Sequence, residues 1–202
     1  MNFFILASSI LIAIIIGYTL PKQRRKNASE QQSFWERERA SNSVRRKPLD
    51  SLDYIQIPFD TFPLETMAED IKVMEYQTLI KELSTQKIVN LTGYTNTDLK
   101  LEYGTENMTT LSEYDQNYTI LVRTLQQWAD ILYDAGYQND ALILMEFALS
   151  TGSDVSRTYY KLADIYASRG DFSQIEVLKK QAENLRTSTK NIIVRTLQES
   201  YP

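Results

Sequence analysis

The chain has 202 residues, enough for one folded domain together with an anchor and a linker. It contains no cysteine and no histidine, which excludes a disulfide framework, a thiolate metal site and catalysis by either residue. The net charge of −4 is uneven, because residues 21–50 are basic while residues 51–202 are acidic. An acidic body does not suit nucleic-acid binding, so no nucleic acid is expected as a partner.

Residues 3–20 form an uncharged apolar run, FFILASSILIAIIIGYTL. As a helix this run would reach about 27 Å, close to the thickness of a hydrocarbon core. A cleaved signal peptide is the alternative. It would carry basic residues before the apolar run and a cleavage site of small residues, and the sequence has neither. We therefore predict a transmembrane anchor over residues 1–21 that contacts the membrane through residues 3–20.

Residues 22–50 are predicted to be a basic and polar juxtamembrane linker. The cluster KQRRK directly follows the apolar run, and the positive-inside rule then places the C-terminal domain in the cytoplasm. The stretch from Ser29 to Ala40 is compatible with a helix, but a tether is the simpler prediction. Phe34 and Trp35 are unusual in an inert linker, and they have three alternative docking surfaces: the folded body, the membrane or a partner.

Residues 51–202 are predicted to form a helical domain. The alternating segment LDYIQIP (52–58) predicts a short extended stretch that packs along the body. A helix is expected from about Leu64 to Ser84, where it would cover one side of the helices that follow. Its inward positions are predicted to be Met67, Ile71, Met74, Leu79 and Leu83.

Residues 87–108 are the least helical stretch and are rich in Asn, Thr and Gly. The segment LKLEY within it would be a strand without a sheet to join, so we predict an ordered loop. A loop of this length inside a compact domain is often functional. This loop is therefore a secondary site candidate.

Two segments of the C-terminal half repeat one pattern. A long helix is predicted from about Leu111 to Ala135 and leads into VRTLQQWADILYDAGYQNDALILMEFALSTGSD, at about 122–154. The second segment, at about 156–188, reads SRTYYKLADIYASRGDFSQIEVLKKQAENLRTS. Placing Gly136 over Gly170 brings the triplet Ala-Asp-Ile of the first segment onto the same triplet of the second.

This pattern resembles the tetratricopeptide repeat, a helix–turn–helix unit with a period of about 34 residues. Trp128 and Leu162 would fill the space between helices, while alanines at neighbouring positions would allow close approach. Gly136 and Gly170 fall where the first helix of each unit turns, a position that favours a left-handed backbone. The resemblance implies an all-α fold of antiparallel helix pairs, an α-solenoid, with residues 191–200 as a capping helix.

The resemblance also implies a binding surface. In the family, the first helix of each unit lines a concave groove that binds a peptide or helix of another protein. By register, the groove positions here are Arg123, Gln126, Asp130, Tyr133, Arg157, Tyr160 and Asp164. Tyr and Arg are enriched at binding hot spots, which favours a protein partner. The alternative is a solvated face with regularly spaced charges.

The sequence carries no glycine-rich phosphate loop, and no spacing of Asp and Glu recommends a metal site. No catalytic residue, metal ligand or cofactor is therefore expected, and enzyme activity is not predicted. The sequence predicts a single-pass membrane-anchored adaptor or scaffold. Two alternatives stay open: a domain outside the cell that assists secretion or envelope assembly, and an enzyme that uses the 87–108 loop.

Overall fold

The computed structural model describes residues 30–201. Within this range the regular structure consists of eight α-helices and two 3-10 turns, with one isolated β-bridge. The prediction of an all-α protein is therefore confirmed for the described residues. The predicted anchor, residues 1–21, lies outside them. Between residues 30 and 201, no helix has the length and apolar character needed to cross a membrane.

In chain order the helices are α1 (30–42), α2 (Ile71–Leu83), α3 (Asn96–Tyr103), α4 (Met108–Asp134), α5 (Gln138–Ser150), α6 (Ser156–Ser168), α7 (Phe172–Glu183) and α8 (Lys190–Ser200). Long segments separate α1 from α2 and α2 from α3, whereas short connections join the helices from α3 onward. The described residues divide into two compact units. The first unit contains residues 30–47 and Thr95–Met108, and the second contains Pro48–Tyr94 and residues 109–201.

The first unit is held together by polar contacts between α1 and α3. Arg37 pairs with the Asp98 carboxylate, and the Glu38 carboxylate accepts hydrogen bonds from the Thr97 hydroxyl and from Lys100. The bond from Thr97 is the largest cause that lowers the pKa of Glu38. Residues 30–42 are thus a helix fixed on a partner helix, rather than the tether that the sequence favoured.

The prediction of a loop across residues 87–108 is wrong for its second half. Residues 96–103 form α3, which begins at a capping box in which Thr95 and Asp98 satisfy each other's backbone N–H groups. A threonine followed three residues later by an acidic residue is a helix-start signal that the sequence contained. The low apolar content of the segment concealed it, because helical periodicity cannot be recognised without an apolar stripe.

The second unit contains two helical hairpins, α4 with α5 and α6 with α7. Each first helix ends at a glycine with a positive φ, +91° at Gly136 and +73° at Gly170. The amide of the following residue, Tyr137 or Asp171, bonds back to a carbonyl in the last turn of the helix, at 2.8 and 2.9 Å. The predicted left-handed turn is therefore confirmed at both glycines.

Helices α4 and α6 lie side by side and run in the same direction. Asp130 of α4 pairs with Arg157 and Lys161 of α6, and Asp134, one turn further along α4, also pairs with Lys161. Residues later in α4 pair with residues later in α6, so the two helices point the same way. Helices α4 and α6 are therefore parallel neighbours.

Helix α5 runs against α6. Tyr166 donates a hydrogen bond to Glu146 at 2.6 Å, and Arg169, further along α6, donates to Asn139, which is earlier in α5. The order of the partners is reversed, as in an antiparallel pair. The interior between these helices contains Leu144, Leu162 and Ala163, all fully buried.

The segment before the hairpins packs against the first of them. Phe62 lies edge-on to Trp128 and to Phe147, with ring centroids 6.0 and 5.3 Å apart. The predicted extended stretch is confirmed by an antiparallel bridge between Tyr54 and Val89. The segment therefore packs along the first hairpin, as the sequence predicted for the extended stretch.

Helix α2 begins later than predicted, at Ile71 rather than near Leu64. The Asp70 carboxylate caps its first turn by accepting two backbone N–H bonds, and Met67 just before it has a positive φ of +54°. The predicted inward face is also partly wrong. Ile71 and Met74 are 74% and 52% exposed, because the helix turns the side that carries Val73, Ile80 and Leu83 towards the core.

Candidate partner-binding face

The seven predicted groove residues lie along α4 and α6, and we call the surface that they mark the α4–α6 face. The structure assigns them three different situations. Gln126 and Asp130 connect the two helices, Tyr160 and Asp164 contact the chain at α8, and Arg123 and Arg157 are exposed. Tyr133 is half-buried, with the Lys161 ammonium over its ring.

Asp130 is the centre of a polar cluster between α4 and α6. Its carboxylate accepts a bond from the Gln126 amide at 2.9 Å and pairs with Arg157 Nε at 3.2 Å and Lys161 Nζ at 2.7 Å. The Gln126 carbonyl in turn accepts from the Thr158 hydroxyl. The Asp130 side chain is only 18% exposed. Gln126 and Asp130 therefore fix the register of the two helices, and little of either is available to a partner.

Lys161 belongs to this cluster, although the sequence did not single it out. Its side chain is 12% exposed, bonds Asp130 and Asp134, and places its ammonium 4.4 Å from the centre of the Tyr133 ring. Comparison of the two repeats did not indicate a role for Lys161, because the equivalent residue in the first repeat is an uncharged glutamine, Gln127. A charge that pairs across a helix interface is visible only when both helices are placed.

Tyr160 and Asp164 face α8 and the residue that follows it. Tyr160 donates to Thr196 at 3.3 Å, and the Tyr201 hydroxyl donates to Asp164. Burial, followed by this bond to Asp164, raises the pKa of Tyr201 to about 12. The helix predicted at residues 191–200 is confirmed as α8. This helix and Tyr201 bond to two residues that the sequence assigned to the groove.

Asp164 is exposed although it bonds to Tyr201. Arg123 and Arg157 are the exposed cations among the seven residues of the α4–α6 face. They occupy the same place in the two repeats, 34 residues apart. The Arg157 side chain is 60% exposed, and its pairing with Asp130 uses only Nε. Arg123 is exposed, and no described residue pairs with it. Two guanidinium groups with free donors on adjacent helices suit the bidentate binding of carboxylates.

A polar cleft in the second unit is a separate site candidate. It has a volume of about 550 Å³ and includes part of the predicted 87–108 loop. Apolar atoms make up about half of its lining, and the polar side chains in it are Asp53, Asn90, Thr92, Tyr94, Ser150, Thr151, Gln181, Asn184, Arg186 and Thr187.

Asn90 shapes this cleft. Its amide nitrogen donates to the carbonyls of Thr151 and Gly152, at 2.9 and 3.2 Å, and to the Tyr118 hydroxyl at 3.0 Å. It therefore fastens the loop onto the connection between α5 and α6. No cluster of Asp and Glu within residues 30–201 has the geometry to hold a metal ion.

Comparison with known proteins gives no relative from which a function could be transferred. No protein-family model matches the sequence, and neither the curated proteins nor the solved structures yield a match.

Proposed function

We propose that the chain is a single-pass membrane-anchored adaptor that binds a protein partner through the α4–α6 face of tetratricopeptide-like helix pairs. The observation that carries the proposal is the pair of exposed guanidinium groups, Arg123 and Arg157, at equivalent positions on two parallel helices. Arginine is enriched among residues that dominate binding energy, and a repeated array presents it at regular intervals.

The chemistry of this face favours an acidic segment of the partner. Asp130 is already neutralised by Arg157 Nε and by Lys161, so the remaining donors of Arg157 are free for a second carboxylate. The ring of Tyr133, half-buried under Lys161, would supply an apolar contact on the same face. A peptide or helix with Asp or Glu residues spaced to meet both arginines would fit this arrangement.

Site-specific crosslinking from intact membranes tests the proposal. We would compare the wild-type chain with a double variant, Arg123→Ala with Arg157→Ala, after confirming by circular dichroism that the variant folds. A hot-spot arginine is worth about 2 kcal/mol, so each substitution should weaken partner binding by about 30-fold. The matched control is Arg186→Ala, which removes an exposed arginine from the cleft instead of the face.

Each result points to one surface. A partner crosslinked to the wild type and to Arg186→Ala, but lost from the double variant, supports the α4–α6 face. A partner lost only from Arg186→Ala assigns binding to the cleft. This cleft is the observation that favours the alternative of a ligand or substrate site at the 87–108 loop. A partner retained by the wild type and by both variants would refute the proposed face.

The side of the membrane requires its own experiment. The chain has no cysteine, so a single Ser188→Cys substitution at an exposed position provides a unique thiol. For a cytoplasmic domain, a membrane-impermeant maleimide should label this thiol only after the cells are opened. Labelling of intact cells would support the alternative of a domain outside the cell, which serves secretion or envelope assembly.

A further inference from the structure

The cleft of the second unit is lined by two opposite charges that do not neutralise each other. Asp53 and Arg186 both line it. Among the residues that the structure describes, neither side chain forms a salt bridge. Asp53 also lines a smaller cavity of about 240 Å³ beside the cleft, and Arg186 does not line that cavity. The two charges therefore lie apart along one cleft.

Arg186 is held in position by the turn at Gly93. Its guanidinium lies 5.7 Å from the centre of the Tyr94 ring, and its Nη1 donates to the Tyr94 hydroxyl at 3.3 Å. The backbone at Gly93 has a φ of +89°, and a Cβ there would lie 2.7 Å from the Arg186 Cβ. The other N–H donors of Arg186 have no partner within residues 30–201, so they are available to a carboxylate.

The loop that carries Tyr94 is fixed at its start. Asn90 fastens it to the connection between α5 and α6, and the Asn90 side-chain carbonyl accepts from the Thr92 N–H at 2.9 Å. The Tyr94 N–H bonds back to the Leu91 carbonyl at 3.1 Å. These bonds fix the wall that positions Arg186, and a preorganised site loses little entropy on binding.

The lining also offers amide groups and apolar surface. Gln181 and Asn184 lie one turn apart at the C-terminal end of α7, and neither side-chain amide has a hydrogen-bond partner among the described residues. Such an amide both donates and accepts, as a peptide group does. Leu149 and Leu185 contribute apolar atoms. The volume of about 550 Å³ is typical of a site for a small ligand.

We propose that the cleft binds a short peptide with free ends, with the peptide carboxylate at Arg186 and its ammonium group at Asp53. Gln181 and Asn184 hydrogen-bond the peptide groups between these ends. About three extended residues reach roughly 10 Å, a length that suits a cleft of this volume. The inference goes beyond the proposed function, because the cleft contains no residue of the α4–α6 face and an internal segment of a partner protein has neither free end.

Isothermal titration of the full-length chain in detergent tests the inference. The probes are trialanine with free ends, its C-terminal amide and its N-acetyl form. Blocking either end removes one charge-assisted contact, so each blocked probe should bind about tenfold more weakly than free trialanine.

Two substitutions assign the ends of the peptide. Arg186→Gln should weaken the binding of free trialanine about tenfold, and amidation of the probe should then have no further effect, since its contact is already lost. Asp53→Asn should likewise abolish the effect of N-acetylation. An unfolded variant would instead lose all three probes. The matched control, Arg157→Gln, removes an exposed arginine from the α4–α6 face and should leave every affinity unchanged.

Other results would overturn the inference. Inorganic phosphate that binds as tightly as trialanine would make the cleft a simple anion site. Equal affinity for free and N-acetylated trialanine would exclude the contact with Asp53. Undiminished binding to Arg186→Gln, or no binding of trialanine at millimolar concentration, would exclude a peptide site in this cleft. Crosslinking of a protein partner to the α4–α6 face is a separate measurement, so either proposal can fail while the other holds.

Discussion

Trp128 is the largest fully buried side chain of the second unit. Its ring packs between helices and the segment before α2, where Phe62 contacts it edge-on. Its indole nitrogen is the one buried side-chain polar atom between residues 30 and 201 without a hydrogen-bond partner. The ring therefore contributes by filling space, and the indole N–H adds no bond that would offset its desolvation.

Replacing Trp128 by alanine should lower the free energy of unfolding by about 3–5 kcal/mol, because it leaves a large cavity at a site with 0% exposure. Trp128→Phe should cost much less, since it retains most of the apolar volume and removes an unpaired N–H. Urea denaturation followed by circular dichroism measures both values. A loss below about 1 kcal/mol for the alanine variant would contradict the assigned position of the ring.

At the scale of elements, glycines end or connect helices for two different reasons. Gly136 requires only the left-handed backbone, with φ +91°, because an added Cβ would meet no atom within 4 Å. Gly104, after α3, has φ +88°, and a Cβ there would lie 2.4 Å from the Arg45 carbonyl oxygen. Gly136 is needed only for its turn, whereas Gly104 also allows two chain segments to approach closely.

This difference predicts unequal effects of alanine. Gly136→Ala should cost about 1–2 kcal/mol from backbone strain alone. Gly104→Ala should cost more and should separate residues 43–47 from α3. Hydrogen exchange provides the local measurement, because the Lys47 amide donates to Tyr103 at 3.0 Å. Faster exchange at Lys47 in Gly104→Ala, and unchanged exchange there in Gly136→Ala, is the expected pattern. Equal protection in both variants would contradict the close approach.

The capping box of α3 gives a second test at this scale. Thr95 accepts a bond from the backbone N–H of Asp98, and the Asp98 carboxylate accepts from the backbone N–H of Thr95 at 2.9 Å. Thr95→Ala should destabilise α3 by about 1 kcal/mol. Thr95→Ser, which retains the hydroxyl, is the matched control. Amide exchange across residues 96–103 should accelerate only in the alanine variant, and acceleration in neither would rule out the cap.

At the scale of the whole molecule, buried tyrosines make stability depend on alkaline pH. Burial raises the pKa of Tyr118 and of Tyr159 to about 12, whereas tyrosine in an unfolded chain titrates near pH 10. Their hydroxyls donate to the carbonyls of Thr151 and Ser153, so both side chains support the connection between α5 and α6.

The sign follows from proton binding. Above about pH 10 the unfolded chain loses these protons while the folded protein keeps them, so the stability contributed by both groups falls as pH rises towards 12. We expect the free energy of unfolding to drop by about 2 kcal/mol between about pH 9 and pH 11. Denaturation at several pH values measures it, and replacing both tyrosines by phenylalanine should make the fall shallower by this amount, while the part due to Tyr201 remains. An equally steep fall in that double variant would assign the effect to other groups.

The sequence by itself determined the features that depend on local or periodic signals. The repeated Ala-Asp-Ile triplets and the glycines 34 residues apart predicted the helices of the second unit and their left-handed turns, because these signals lie within one repeat. The exposure of Arg123 and Arg157 followed from the same register. Helix α3 was predictable in principle from its capping box, but not from periodicity.

Only the tertiary structure decided which polar residues face one another. Asp130 and Lys161 belong to different repeats and do not occupy equivalent positions in them. Their pairing therefore depends on the offset between α4 and α6. The contact of Tyr201 with Asp164 depends likewise on how α8 packs. The exposure of Ile71 and Met74 has the same origin, since a helix with apolar residues on several sides is oriented by the surface it packs against.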